Sequence, residues 1–213
     1  MFTPANYRLT DPAAIRSLCD RHGFANLITH SGTETFVTHV PLLVDLTDDG
    51  RFEVVGHVAK ANPHAAALEA GLPTVAVFLG PHAYISPVWY RHDPRVPTWN
   101  YAAVHFHGVP VAFTRLADTA ACVKRLADKY EALANPQQPW RFDAAHPDSV
   151  RELRAILAFR MPAEAVYAKH KFNQNQPAAS RRSVIAALET SADPLERGVA
   201  DIMRAHLGGE HRE

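Results

Sequence analysis

The chain opens on a helical period and then changes to an alternating one. Ile15, Leu18 and Cys19 fall at i, i+3, i+4 behind Asp11-Pro12, which reads as a cap followed by a proline at the first helical position. Gly23 closes that helix. Residues 24–29, 36–46 and 52–58 are rich in Val, Leu, Ile, Phe and Thr, and short polar turns containing Gly32 and Gly50 separate them. This predicts three strands of an antiparallel meander. Asn62-Pro63 repeats the cap-plus-proline signal and predicts a short helix over 63–70. Residues 73–79 are nearly all apolar, the pattern of a strand buried on both faces, and 83–85 continue it after Gly80-Pro81. Strands over 96–107 and 109–114 follow, and short strands at such spacing point to a sandwich or barrel. The remaining third predicts helices over 117–133, 147–157 and 194–207, the last capped by Asp193. A strand over 158–167 returns to the barrel, and the proline-rich stretch 135–147 reads as a surface loop.

Composition narrows the choices. A chain of 213 residues suits one large domain, and Lys plus Arg equal Asp plus Glu at 22 each. A net charge of zero argues against the broad basic footprint of a stand-alone nucleic-acid binder. Cys19 and Cys122 are too few for a disulfide framework or a thiolate zinc site and read as core residues. There are 13 histidines, but His105 and His107 have no third ligand at a short interval. The first residues do not form a secretory signal, and no run of 18 apolar residues spans a membrane, so the expectation is a soluble, cytoplasmic protein. No G-x-x-x-x-G-K-[ST] loop, G-x-G-x-x-G fingerprint or G-x-S-x-G elbow is present.

Four segments are instead dense in polar and aromatic residues. In 56–63 a strand ends and a helix begins; Lys60 and the N–H groups from Asn62 to His64 suit an anion, with plain capping by Asn62 as the simpler reading. Residues 80–90 hold three aromatics, Tyr84, Trp89 and Tyr90, with two prolines, a stiff wall that suits either a planar ligand or a dimer interface. In 96–108, alternation puts Thr98 and Asn100 on one side and Trp99 and Tyr101 on the other. Thr98 and Asn100 are placed to hydrogen-bond a ligand, unless that strand end simply reaches water. From Lys169 to Arg182 there are four formal positive charges and no acid, a donor-rich surface or a solvated connector.

Taken in order, GHVAKANP at 56–63, GPHAYISPVWY at 80–90, VPTWNYAAVHFHG at 96–108 and KFNQNQ at 171–176 resemble the PaiB family of FMN-binding, negative-regulator-type proteins. The opening Met1-Phe2-Thr3-Pro4 and residues 38–43 are similar as well. The resemblance implies an α+β fold: an FMN-binding split β-barrel, mainly antiparallel, over 1–168, with a connector and helices over 169–213. It also implies a homodimer with FMN at the subunit interface, and a role in transcriptional regulation. Small departures occur: Val88 stands where a serine is common, and His170 where a tryptophan is common.

Under this reading His57, Lys60 and Asn62 suit the FMN phosphate, while Ser86, Thr98 and Asn100 suit the ribityl hydroxyls or the ring edge. Trp89, Trp99 and Tyr101 wall the ring; Lys171, Gln174 and Asn175 close over it from the same or the partner subunit. The alternatives are a flavin-dependent oxidoreductase, a haem-binding split barrel suggested by the histidines, and weak direct contact with DNA.

Overall fold

The computed structural model describes residues 1–91 and 96–209. The alternating segments fold as expected. Helix α1 (Pro12–Arg21) buries Ile15, Leu18 and Cys19, and strands β1 (Phe24–His30), β2 (Thr35–Leu46) and β3 (Phe52–Ala59) form the meander. Gly23, between α1 and β1, fits a close approach: a Cβ there would lie 2.7 Å from the Tyr130 hydroxyl and 3.2 Å from the Leu42 carbonyl oxygen. Helix α2 (His64–Glu69) leads to β4 (Thr74–Ile85), which runs unbroken through Gly80-Pro81. Strand β5 (Thr98–Gly108), the two-residue β6 (Val111–Ala112), α3 (Leu116–Ala134) and α4 (Pro147–Arg154) follow.

Several predicted bounds move: the strand expected over 109–114 is only Val111–Ala112, and the strand expected over 158–167 runs from Ile156 to Lys171. The helix expected to reach 157 stops at Arg154, because residues 156–159 are taken by β7 (Ile156–Lys171), whose Ile156 pairs with Ala59 and Phe159 with Gly56. The segment beyond it, read as a connector, contains a full helix, α5 (Ala178–Glu189), which buries Val184, Ile185 and Leu188. Helix α6 (Pro194–Gly209) closes the described chain.

The strands form a sheet in the order β3-β2-β1-β4-β5-β7-β6, and β3 also pairs with β7. Six strands therefore close a barrel, with β6 as a seventh on the β7 side; the ladders β1–β2, β1–β4, β2–β3, β3–β7 and β6–β7 are antiparallel. The expected split barrel with helices is the fold found.

The chain divides into two compact units: Pro12–Phe78 with His105–Val166, and Met1–Asp11 with Leu79–Val104 and Tyr167–Glu213. In the first, Leu27, Leu42, Val54, Phe78, Phe106, Phe159 and Met161 are completely buried, and Phe106 meets Phe52 and Phe78 edge to face at 5.4 and 5.6 Å. Each such side chain contributes roughly 1.5–3 kcal/mol by leaving water. Helix α3 adds Cys122 and Leu126 to a cluster with Leu43, Val55 and Ala158. In the second unit, α5 packs against α6. Met203 of α6 is buried against Asn100 of β5, and His206 lies 5.0 Å from His170 of β7.

Candidate functional site

The first unit holds His57, Lys60 and Asn62. His57 sits on β3 opposite Ala158; its Nδ1 is buried without a hydrogen-bond partner, and burial lowers its pKa below the usual histidine value. The turn after β3 uses its own donors. The Asn62 N–H donates to the Ala59 carbonyl at 3.0 Å, Pro63 has no N–H, and the His64 N–H donates to Asn62 Oδ1 at 3.0 Å. Asn62 therefore caps the turn, and the N–H groups expected to meet an anion are already satisfied. Lys60 projects an exposed side chain from the same turn.

A buried polar relay continues from this turn. Thr74 donates to the Leu72 carbonyl at 2.9 Å, so its hydroxyl accepts from Thr29 at 2.6 Å. With its one proton committed, Thr29 accepts from His64 Nε2 at 2.8 Å. Burial lowers the His64 pKa and keeps the ring neutral, so its Nδ1 accepts from Thr38 at 2.8 Å, and Thr38 accepts from Asn62 Nδ2 at 3.3 Å. The proton of His64 is thus assigned to Nε2 by its neighbours. Phe36 stacks on the ring at 5.4 Å.

The second unit holds the other eight candidates. Ser86 precedes the short turn Pro87–Trp89, and its carbonyl accepts from the Trp89 N–H at 3.1 Å. Alternation along β5 divides the next three as the sequence predicts. Asn100 turns inward and is fully buried; its Nδ2 meets the Met203 sulfur at 3.4 Å, and its Oδ1 has no partner. Trp99 turns outward, 54% exposed, and packs edge-on to Tyr84 at 6.0 Å, with His82 at 6.4 Å. Thr98 accepts a 2.5 Å hydrogen bond from Lys171 Nζ, so the structure brings those two predicted residues into contact. Burial pulls the Lys171 pKa down; the Tyr101 phenol opposes that shift and the charge of Lys169 adds to it.

Beyond β7 the amides are used locally. Gln174 accepts from the Phe172 N–H at 2.7 Å and donates to the His170 carbonyl. Asn173 adopts a left-handed φ of 60° and donates to the Tyr90 hydroxyl at 3.3 Å, while Asn175 stays exposed. Asparagine tolerates that backbone region better than most residues, which fits its place in the tight turn. The sequence places Tyr84 in an aromatic wall and Lys169 in a basic cluster but singles out neither, nor His82, as a flavin contact. Lys169 is two residues before Lys171 on the same strand, and that spacing was the available signal.

Tyr84 and Trp99 thus stand together on the outer side of this unit, Tyr101 faces Lys169 Nζ at 5.2 Å, and Lys171 holds Thr98, which alternation puts on the other side of β5 from Trp99; both lysines give their hydrogen bonds to neutral oxygens. A flat ring needs an aromatic wall, a ribityl chain needs hydroxyl and ammonium partners, and a phosphate needs cations. All three are present, so the donor set fits FMN.

Comparison with known proteins decides the family. The model of a family described as "Putative FMN-binding domain" matches residues 1–165. The chain belongs to this FMN-binding family. It is also 30% identical over 208 residues to the protease synthase and sporulation protein PAI 2 of Bacillus subtilis, covering 97% of this chain and 98% of that relative. The PaiB resemblance and the expectation of FMN hold. The fold resembles that of the FAD and heme binding protein from Mycobacterium smegmatis (TM-score 0.61, 15% identity, 84% of this chain and 80% of that one). It also resembles the flavocytochrome Anf3 from Azotobacter vinelandii (TM-score 0.57, 16% identity, 78% and 69%). At these identities the likeness shows the fold alone. The FMN-binding family match ends at residue 165, whereas the likeness to PAI 2 runs over nearly the whole chain.

Proposed function

We propose that this chain binds FMN at the start of β5, between Tyr84 of β4 and Lys171 of β7, and does so as a homodimer. The observation that carries the flavin reading is the aromatic pair Trp99–Tyr84, 54% and 43% exposed, beside Lys171 bonded to Thr98. Two partly exposed rings in contact, next to a hydroxyl that holds an ammonium, suit a planar phosphorylated ligand. Trp99 and Tyr84 wall the ring, and Thr98 and Lys171 hold the phosphoribityl chain. When bound, FMN supplies reversible one- and two-electron chemistry, for which the protein needs no acid–base dyad of its own. Lys60 and Asn62 lie in the other unit, where Asn62 is spent on capping, and single variants at both test whether they contribute to binding at all.

Exposed apolar residues support the dimer. Phe24 (70%) and Val37 (54%) stand outward on β1 and β2, and Val88 (76%) and Val96 (67%) stand outward around the β4–β5 connection. Side chains of this size left in water favour coverage by a second copy. A regulatory output, suggested by the sporulation role in the name of PAI 2, then depends on flavin binding or redox state. The neutral net charge gives little footprint for DNA. Gel filtration with in-line absorbance tests cofactor and assembly together. A yellow peak at twice the chain mass is expected after incubation with FMN; a colourless monomer peak refutes both parts. A Soret band would replace the flavin by haem.

A further inference from the structure

We propose that Lys169 and Lys171 on β7 together form the receptor for a phosphate group. The two residues alternate onto one face of the strand with Cα atoms about 7 Å apart. Lys169 is only 8% exposed, and an ammonium that far from water is costly unless a counter-charge offsets it. Its contacts among the described residues are neutral: the Phe2 carbonyl at 3.2 Å, and the rings of Tyr101 and Phe2 at 5.2 and 5.8 Å. Lys171 has Thr98. Among the described residues neither lysine is ion-paired, whereas Lys129, with a side chain 17% exposed, is paired with Asp20 at 3.3 Å.

Each ammonium carries three donors and uses one on a neutral oxygen, so two remain on each. Two adjacent cations with spare donors match a dianion with several acceptor oxygens, which is a phosphate monoester rather than a carboxylate. The turn at Asn62 offers less, because its N–H groups are satisfied and Lys60 is exposed. The inference deepens the flavin reading and rests on it only for the carrier. The phosphate is that of FMN itself or that of a second phosphorylated molecule.

The test uses the full-length, flavin-depleted protein, the double variant Lys169→Met/Lys171→Met, and Lys60→Met. FMN and riboflavin binding are read by flavin fluorescence, and inorganic phosphate by the rise in melting temperature. For the wild type we expect at least tenfold preference for FMN over riboflavin. The double variant is expected to bind both alike, with riboflavin affinity kept, which assigns the FMN phosphate to the pair. Loss of stabilisation by inorganic phosphate with the FMN preference intact assigns the pair to the phosphate of a second molecule and also supports the proposal. The proposal is overturned if the double variant keeps both the preference and the phosphate response. It is equally overturned if only Lys60→Met abolishes them, or if the wild type shows neither response. Failure of the flavin reading is seen separately, as a wild type that binds neither flavin; the phosphate response then decides alone. Lys171→Met, at the more accessible position, carries the same readouts if the double variant does not fold.

Discussion

Replacing His64 by leucine removes both ring nitrogens from a relay that is dry at its centre: His64, Thr29 and Thr74 are each 0–1% exposed. Two hydrogen bonds are lost, at Thr38 and Thr29, each with a net contribution of about 1 kcal/mol. The Thr38 proton also loses its acceptor, which costs about 1–3 kcal/mol where water cannot replace it. His64→Leu should therefore destabilise the protein by about 3 kcal/mol, read by urea unfolding with an unchanged m-value. Thr29→Val should cost about 2 kcal/mol by stranding the His64 Nε2 proton. The double variant should cost clearly less than the two together, because it removes both ends of one bond. A His64→Leu loss below about 0.5 kcal/mol, or strict additivity with Thr29→Val, would refute the relay.

The same histidine sets a pH dependence. Burial lowers the folded pKa of His64 below the ordinary 6.5, as it does for His57 and, with minor charge contributions, for His105 and His22. The unfolded chain then binds more protons than the folded one below about pH 6.5, so stability falls as the pH drops through that value and continues falling to the folded pKa. His64→Leu should flatten part of that slope.

Gly108→Ala should lower the melting temperature strongly, since its Cβ would lie 2.2 Å from the Pro162 carbonyl oxygen, a backbone atom; a melting temperature within a degree of wild type would contradict that fit. Cys19 and Cys122 should resist a thiol reagent at pH 8 until the protein is unfolded. Burial raises both thiols, Cys122 to about 11, and rapid native labelling of either would count against their packing.

The barrel was legible because its strands alternate and helix starts such as those at Asn62 and Asp193 carry capping side chains. Leu27, Val54 and Ile85 lie inward where period two puts them. Helix α5 escaped notice because the amides and arginines of 173–182 hid Val184, Ile185 and Leu188, whose spacing is helical. The His64 relay was not legible, since Thr29, Thr38 and Thr74 are brought together only by the pairing of β1 with β2 and β4. The contact of Lys171 with Thr98 joins residues 73 apart, although both had been chosen on local chemistry. The anion turn at Asn62 shows the reverse: the local signal was read correctly as a helix start, but its donors are spent on capping.

A crystal structure of the protein with FMN bound tests the central claim most directly. The isoalloxazine ring should lie against Trp99 and Tyr84, with Lys171 and Thr98 on the phosphoribityl chain. Flavin bound elsewhere, or that aromatic face sealed by protein in the loaded dimer, would contradict the account.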